Sequence, residues 1–309
     1  MRIALDRYPA DRSSRAAIDA MTIAKQPCDH LPMSNVHVRL AAGEAMINAL
    51  RRHHLRVGST SQVRTFLVTA TFDDGLIAVD AAEVPLYRIE RKFRWALNRI
   101  GLQGICAFDI DVLRRPDGEK ARLLLVHVHA VCWTRDPNFS ARAAERSLKA
   151  LRRFRNRLGV PSFTIRSRAE SAARHRFSLR DGRQDQTEES MMYLGQYLMK
   201  PCLVLKKRYR RRDGKIVIQT CEKGFGPKMV FLLATVWSGT SAYDAVFAVG
   251  PEGTAVGANY SKELRAWAKR RHILRSGQRV DVAARWLRFF WREPKLGLVP
   301  KIAANRPPG

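Results

Sequence analysis

Two histidines, His127 and His129, stand one residue apart inside the apolar run LLLVHVHAVCW, residues 123–133. In an extended chain alternate side chains share a face. The two imidazoles therefore point the same way, and Leu124, Val126, Val128, Ala130 and Cys132 line the other side. Neutral imidazoles are common metal ligands, and a pair fixed on a strand needs only a carboxylate to become a three-donor site with open positions. The stretch GICAFDIDVL, residues 104–113, offers one: Cys106, Phe108, Ile110 and Val112 form an apolar face, with Asp109 and Asp111 opposite. Between the two strands, Pro116-Asp117-Gly118 carries turn chemistry and predicts a hairpin. If Arg115 sits opposite Glu119, Asp109 faces Leu125 and has His127 as its diagonal neighbour. A slip of one residue would carry the aspartates to the other face. Asp109 is the expected third ligand, with Asp111 as the alternative.

A second group lies in YLGQYLMK, residues 193–200. On a helix Tyr193, Tyr197 and Lys200 fall at i, i+4 and i+7, on one face. A phenol with a pKa near 10 is a weak nucleophile at neutral pH and needs a cation beside it; Lys200 supplies one and is also suited to a phosphate. The plainer alternative is an amphipathic helix whose tyrosines pack in the core and whose lysine reaches water. A third strand, TFLVTATF (65–72), repeats the two-faced pattern. Phe66, Val68, Ala70 and Phe72 are apolar, while Thr69 and Thr71 lie on the polar side, where they can orient ligands from behind or simply pair across the sheet.

The elements that must hold these residues follow from periodicity and punctuation. Residues 39–53 read as a helix, 83–100 as a basic helix with Phe93 and Trp95, and 141–158 as a long Arg-rich helix capped by Ser140. Thr187 caps the tyrosine helix, which Pro201 closes. Strand-like KIVIQT and two basic helices near 260–273 and 278–291 complete the chain, with no repeat at solenoid spacing.

The 309 residues carry a formal charge of +28 and are 46% hydrophobic, enough for a core and far too basic to lack a polyanionic partner. Arg146, Lys149, Arg152 and Arg153 on one helix and Lys206, Lys207, Arg208, Arg210, Arg211 and Arg212 further on are the expected phosphate contacts. Tyr209, Phe93 and Trp95, interleaved with basic residues, are candidates for stacking on unpaired bases. No apolar run approaches the ~18 residues of a spanning helix, so no membrane role is expected. The five cysteines form no CxxC pair, which points to reduced thiols rather than a disulfide frame or zinc site. No G-x-x-x-x-G-K-[ST] occurs, which excludes a fused ATP-driven helicase.

Taken together, a threonine-bearing strand, His-hydrophobe-His on a strand and Tyr-x-x-Lys on a helix, in that order in a basic chain, resemble the HUH endonucleases, among them rolling-circle replication initiators of plasmids and small phages. FLVTATF is similar to their first motif and His127-Val128-His129 matches the second. Tyr193-x-x-x-Tyr197-x-x-Lys200 looks like the two-tyrosine third motif, except that Gln196 stands where Tyr193 would have its lysine. The resemblance implies an α+β fold, a central antiparallel sheet of about five strands with helices on one face, plus helical basic extensions. It divides the chain into a leader and basic helix (1–60), a nicking domain (61–202) and a basic C-terminal extension (203–309). It further implies Mg²⁺ or Mn²⁺ on the histidines and Asp109, Tyr197 as first nucleophile, Tyr193 as a second nucleophile or a positioning residue, and a 5′-phosphotyrosine link with a free 3′-OH. The expected partners are single-stranded or supercoiled origin DNA and a host helicase and polymerase, in the cytoplasm of a bacterial host. A transposase of the same chemistry and a non-catalytic nucleic-acid-binding protein are the alternatives.

Overall fold

The alternation in the three motif-bearing strands becomes the middle of a sheet in the computed structural model, which describes residues 31–57, 63–78, 84–114, 122–156, 160–167, 194–200, 204–210, 212–214, 216–224, 233 and 236–270. β1 (Arg64–Ala78), β2 (Gln103–Arg114) and β3 (Arg122–Thr134) pair antiparallel in the order β1-β3-β2. β4 (Phe163–Ser167) joins the outer edge of β1 and β7 (Val246–Val249) that of β2, making five antiparallel strands. A hairpin of β5 (Val204–Arg210) and β6 (Ile216–Gly224) extends the sheet to seven, because β5 runs parallel to Val112–Arg114 of β2. The class is α+β, as expected. The sheet is larger than the sequence suggests because the basic run KKRYRRR, which reads as surface charge, is largely a strand. Beyond residue 202, the segments 204–210, 216–224 and 246–249 are thus strands of this sheet.

Helices cover both faces of the sheet, not one. On the even-numbered face, α2 (Leu86–Arg99) buries Ile89, Phe93, Ala96 and Leu97, and Phe93 packs on Phe163 and Phe247. The odd-numbered face is polar only in its centre. At one end it carries Ile105, Ala107, Val131 and Trp133, all buried. There α1 (Val36–Val57) lays His53 on Trp133, with ring centroids 4.3 Å apart, and α5 (Gly250–Arg270) places Gly257 against Ile105 and Ala248. Apolar area left bare would forfeit about 25 cal/mol per Å², so this half needs a cover that the polar half does not. A Cβ at Gly253 would come within 2.3 Å of the Gly104 carbonyl, so the absent side chain is what lets α5 lie this close.

Beyond the polar centre, Leu113, Leu123 and Leu125 form a second small apolar cluster with Leu76 packed against it. Leu76 reaches this face through an irregularity in β1: the pairing runs Thr71↔His127 and then Leu76↔Leu125. Gly75 sits in that irregularity, where a Cβ would fall 2.0 Å from the Val126 carbonyl oxygen. Gly75→Ala is therefore expected to lower stability by about 1–3 kcal/mol, read as a shifted urea midpoint, because backbone rather than a flexible side chain must give way.

The Arg-rich helix stops earlier than its composition suggests. α3 (Ala141–Ala150) starts at Ser140, whose Oγ accepts from the Ala143 N–H, and ends at Leu151, which is extended. A short 3-10 turn, Arg152–Phe154, follows. Phe154 is the reason: it is buried against Phe72, Phe163 and Trp95, and a continuous helix would not deliver it there. The last helix also differs from expectation, running 250–270 rather than 260–273. The second basic helix near 278–291 and the leader before residue 31 lie outside the described residues. Cys106 and Cys132 are free and buried.

Candidate functional site

β3 carries both imidazoles to the polar centre of the odd face. His127 sits directly opposite Asp109 on β2 and Thr71 on β1, and His129 opposite Ala107 and Thr69. The hairpin register differs by two residues from the one inferred from the Pro-Asp-Gly turn: Arg114 pairs with Arg122, and the turn residues 115–121 lie outside the described residues. Because strand periodicity is two, an error of two keeps every side chain on its face, and the carboxylate comes closer to His127 than the diagonal contact expected.

Asp109, His127 and His129 are all buried and each offers a ligand atom within 4.8 Å of the others. Asp109 Oδ2 lies 3.6 Å from His127 Nε2 and 3.6 Å from His129 Nε2, and the two Nε2 atoms are 3.0 Å apart. The far nitrogen of each ring is engaged: His127 Nδ1 lies 3.2 Å from the Leu125 carbonyl oxygen, and His129 Nδ1 lies 2.9 Å from Thr69 Oγ1. A bound metal would require the tautomer in which each Nδ1 donates its proton to that oxygen and the Nε2 atoms give up their hydrogen bonds to each other and to Asp109.

The electrostatics suit the same purpose. Burial alone would raise the Asp109 pKa, but a hydrogen bond from His129 and the charges of His127 and Lys200 hold it far below the usual carboxylate range. Burial pushes His129 down to about 3, against the pull of Asp109, so its ring is neutral at pH 7. An ionised carboxylate and neutral imidazole therefore converge with a second imidazole on one point. This buried Asp-His-His group can hold a metal ion. Thr69→Val is expected to weaken Mn²⁺ binding about 10–100-fold in calorimetric titration without unfolding the chain, because it removes only the group that fixes the His129 ring.

The third segment arrives from a short helix, α4, described over residues 194–199. Leu194 and Leu198 are buried, and Gly195 lies against Ile47 of α1, which turns Tyr197 toward the sheet. Its ring meets that of His129 edge-on at 4.8 Å between centroids. Lys200, just past the helix, sets its Nζ 3.8 Å from the centre of the Tyr197 ring and 3.9 Å from Asp109 Oδ2. Burial disfavours the Lys200 charge, but Tyr197, Asp109 and Asp111 together hold its pKa above that of ordinary lysine. Lys200 is thus an ammonium, not a base. Tyr193 lies outside the described residues.

Asp111 and Lys206 form a pair that sequence reasoning did not connect. Lys206 was expected among the DNA contacts, yet its Nζ is bound to Asp111, whose Oδ2 is 3.7 Å from His127 Nε2. Burial would raise the Asp111 pKa, but His127 and Lys206 lower it instead. Lys206 reaches this position only because β5 pairs parallel with β2 beside Asp111, and no local pattern announces that pairing. Asp109 and Asp111 sit on the stretch of β2 between its two outer partners, β7 over 104–107 and β5 over 112–114.

The other expected DNA contacts do not gather here. Arg152 and Arg153 are exposed beside Phe154, on the even-face side of the sheet, and Arg146 is exposed on α3. Lys149 is paired with Glu145 one turn away, and Arg212 is exposed in the turn between β5 and β6. The side chains of Lys207, Arg208, Tyr209 and Arg210, and the whole of Arg211, lie outside the described residues. Phe93, offered for base stacking, is buried in the core. Among the described residues no helix is long and apolar enough to cross a membrane. No family model, curated protein or solved structure matches the chain.

Proposed function

We propose that this chain is a metal-dependent, single-strand DNA nickase of the HUH type that initiates rolling-circle replication through a tyrosine–DNA link. The observation that carries this reading is the convergence of Tyr197, Lys200 and the Asp109–His127–His129 group, drawn from three segments distant in sequence. A core-packing tyrosine would not require an ionised aspartate, two imidazoles and a lysine ammonium around it.

Asp109, His127 and His129 would hold Mg²⁺ or Mn²⁺, which when bound supplies positive charge for a non-bridging oxygen of the scissile phosphate. The residues of the chain do the rest. Tyr197 Oη forms a bond to phosphorus as the P–O3′ bond breaks; the phenolic proton leaves to solvent, and O3′ gains one to become a free 3′-OH. Lys200, fixed between Tyr197 and Asp109, is placed to pair with the phosphate. Thr69 holds His129 in the ligating tautomer. Phosphodiester energy is conserved in the 5′-phosphotyrosine, so a second transfer can reseal the strand without ATP. Unwinding and extension of the 3′ end fall to a host helicase and polymerase in a bacterial cytoplasm.

The test needs no knowledge of the nick site. A randomised pool of labelled single-stranded DNA is incubated with the full chain and Mn²⁺ and resolved under denaturing conditions. A band that survives denaturation and vanishes with chelator is the expected result. Retention of DNA only under native conditions would favour a non-catalytic binding protein instead.

A further inference from the structure

We infer that the solvent face of α2 is a stacking platform for single-stranded DNA, separate from the Asp-His-His site and on the opposite side of the sheet. Among the described residues, the large hydrophobic side chains that stand exposed are Tyr87 and Trp95, at 71% and 36%. Both lie on α2, and with Arg91 and Arg99 they recur every fourth residue, forming one stripe along the helix. Each ring of the stripe has a guanidinium over it. The Arg91 guanidinium is 5.9 Å from the centre of the Tyr87 ring, and that of Arg99 is 5.4 Å from Trp95. Arg153, from the 3-10 turn after α3, adds a third guanidinium 4.3 Å from Trp95. The stripe thus continues off α2 toward the turn that precedes β4.

The charge on this face is net positive, and Lys92 is paired with Asp74. Glu90, the sole acid of α2, is tied to Arg94 at 2.7 Å, and Arg88 adds a further exposed cation. The opposite side of the helix, through Phe93, packs on Phe163 and Phe247 of the even face, so the sheet stands between this stripe and His127. An apolar patch for a protein partner would not need an arginine at every second position of the stripe. Aromatic rings alternating with guanidinium groups match a polymer that alternates flat bases with phosphates, and only unpaired bases offer their faces. The choice of DNA rests on the nickase reading, in which cleavage releases a single strand that has to be held away from the site.

The test is the affinity of the full chain for a labelled oligothymidylate, followed by fluorescence anisotropy across a salt series. Tyr87→Ala with Trp95→Ala is expected to weaken binding at least about tenfold. Arg91→Gln with Arg99→Gln is expected to reduce the slope of log K against log salt by about 1.4. Trp95 also touches Phe154, so Tyr87→Ala alone, at a side chain largely in solvent, serves as the second variant; about a fivefold loss is expected. Photochemical cross-links from the thymines should map to residues 87–99. Unchanged affinity in the aromatic variants, or cross-links that avoid α2, would overturn the inference, and preference for oligouridylate would overturn the choice of DNA. The covalent band from the randomised pool is read on the same preparations. A band formed without any dependence of affinity on the stripe rejects the platform alone. Dependence on the stripe without any band leaves the platform standing and rejects the nickase.

Discussion

Tyr197→Phe abolishes the denaturation-resistant adduct, slowing its formation by a factor of about 10³ or more, while native binding of single-stranded DNA changes little. The substitution removes one oxygen and keeps the ring that packs on His129 and under Lys200, so fold and metal affinity should be preserved. A nucleophile lost in this way leaves only binding and electrostatic assistance to water, and hydrolysis would not yield a covalent product. Tyr193→Phe is the informative companion. If Tyr197 makes the first cut, the Tyr193 variant still forms the adduct and loses at most the second transfer. A Tyr197 variant with normal adduct yield would show that the phenol is part of the core and that the nucleophile lies elsewhere.

The second large effect concerns the metal. Addition of Mn²⁺ at about a hundred times its dissociation constant should stabilise the wild-type chain by about 2.7 kcal/mol, raising the melting temperature by about 5–10 °C, and chelator should reverse it. Asp109→Asn keeps the shape of the carboxylate and removes its charge, and His127→Ala and His129→Ala each remove a nitrogen donor; all three should lose the Mn²⁺-dependent shift and the adduct together. Asp111→Asn should retain the shift, since Lys206 already engages Asp111 and the converging ligand atoms belong to Asp109, His127 and His129. This comparison decides between the two aspartates. Equal loss with both would mean that Asp111 also ligates and that Lys206 yields it on metal binding.

What could be read from the sequence was whatever strand and helix periodicity controls. The apolar faces of β1, β2 and β3 and the common side of Asp109, His127 and His129 follow from a period of two, and they survived a register error because the error was even. Tyr197 lies on a helix, as its spacing suggests, while Lys200 stands just past the end of that helix. What could not be read depended on distant pairing. Nothing local in VLKKRYR says that it lies parallel to Val112–Arg114 and carries Lys206 to Asp111. The apolar half of the odd face is visible in Ile105, Val131 and Trp133, but the helices that cover it, 36–57 and 250–270, are distant in sequence and no local pattern assigns them to it. The early end of α3 is a tertiary effect, in which the burial of Phe154 outweighs the helix propensity of an Arg- and Leu-rich stretch.

Digestion of the Mn²⁺-dependent adduct and mass analysis of the peptide that retains nucleotide would locate the covalent bond. The predicted result is a single phosphodiester on Tyr197, absent after Tyr197→Phe and after Asp109→Asn. Nucleotide on any other residue, or a chain that binds DNA and never becomes attached to it, would contradict the assignment of Tyr197 as the nucleophile of a metal-assisted nickase.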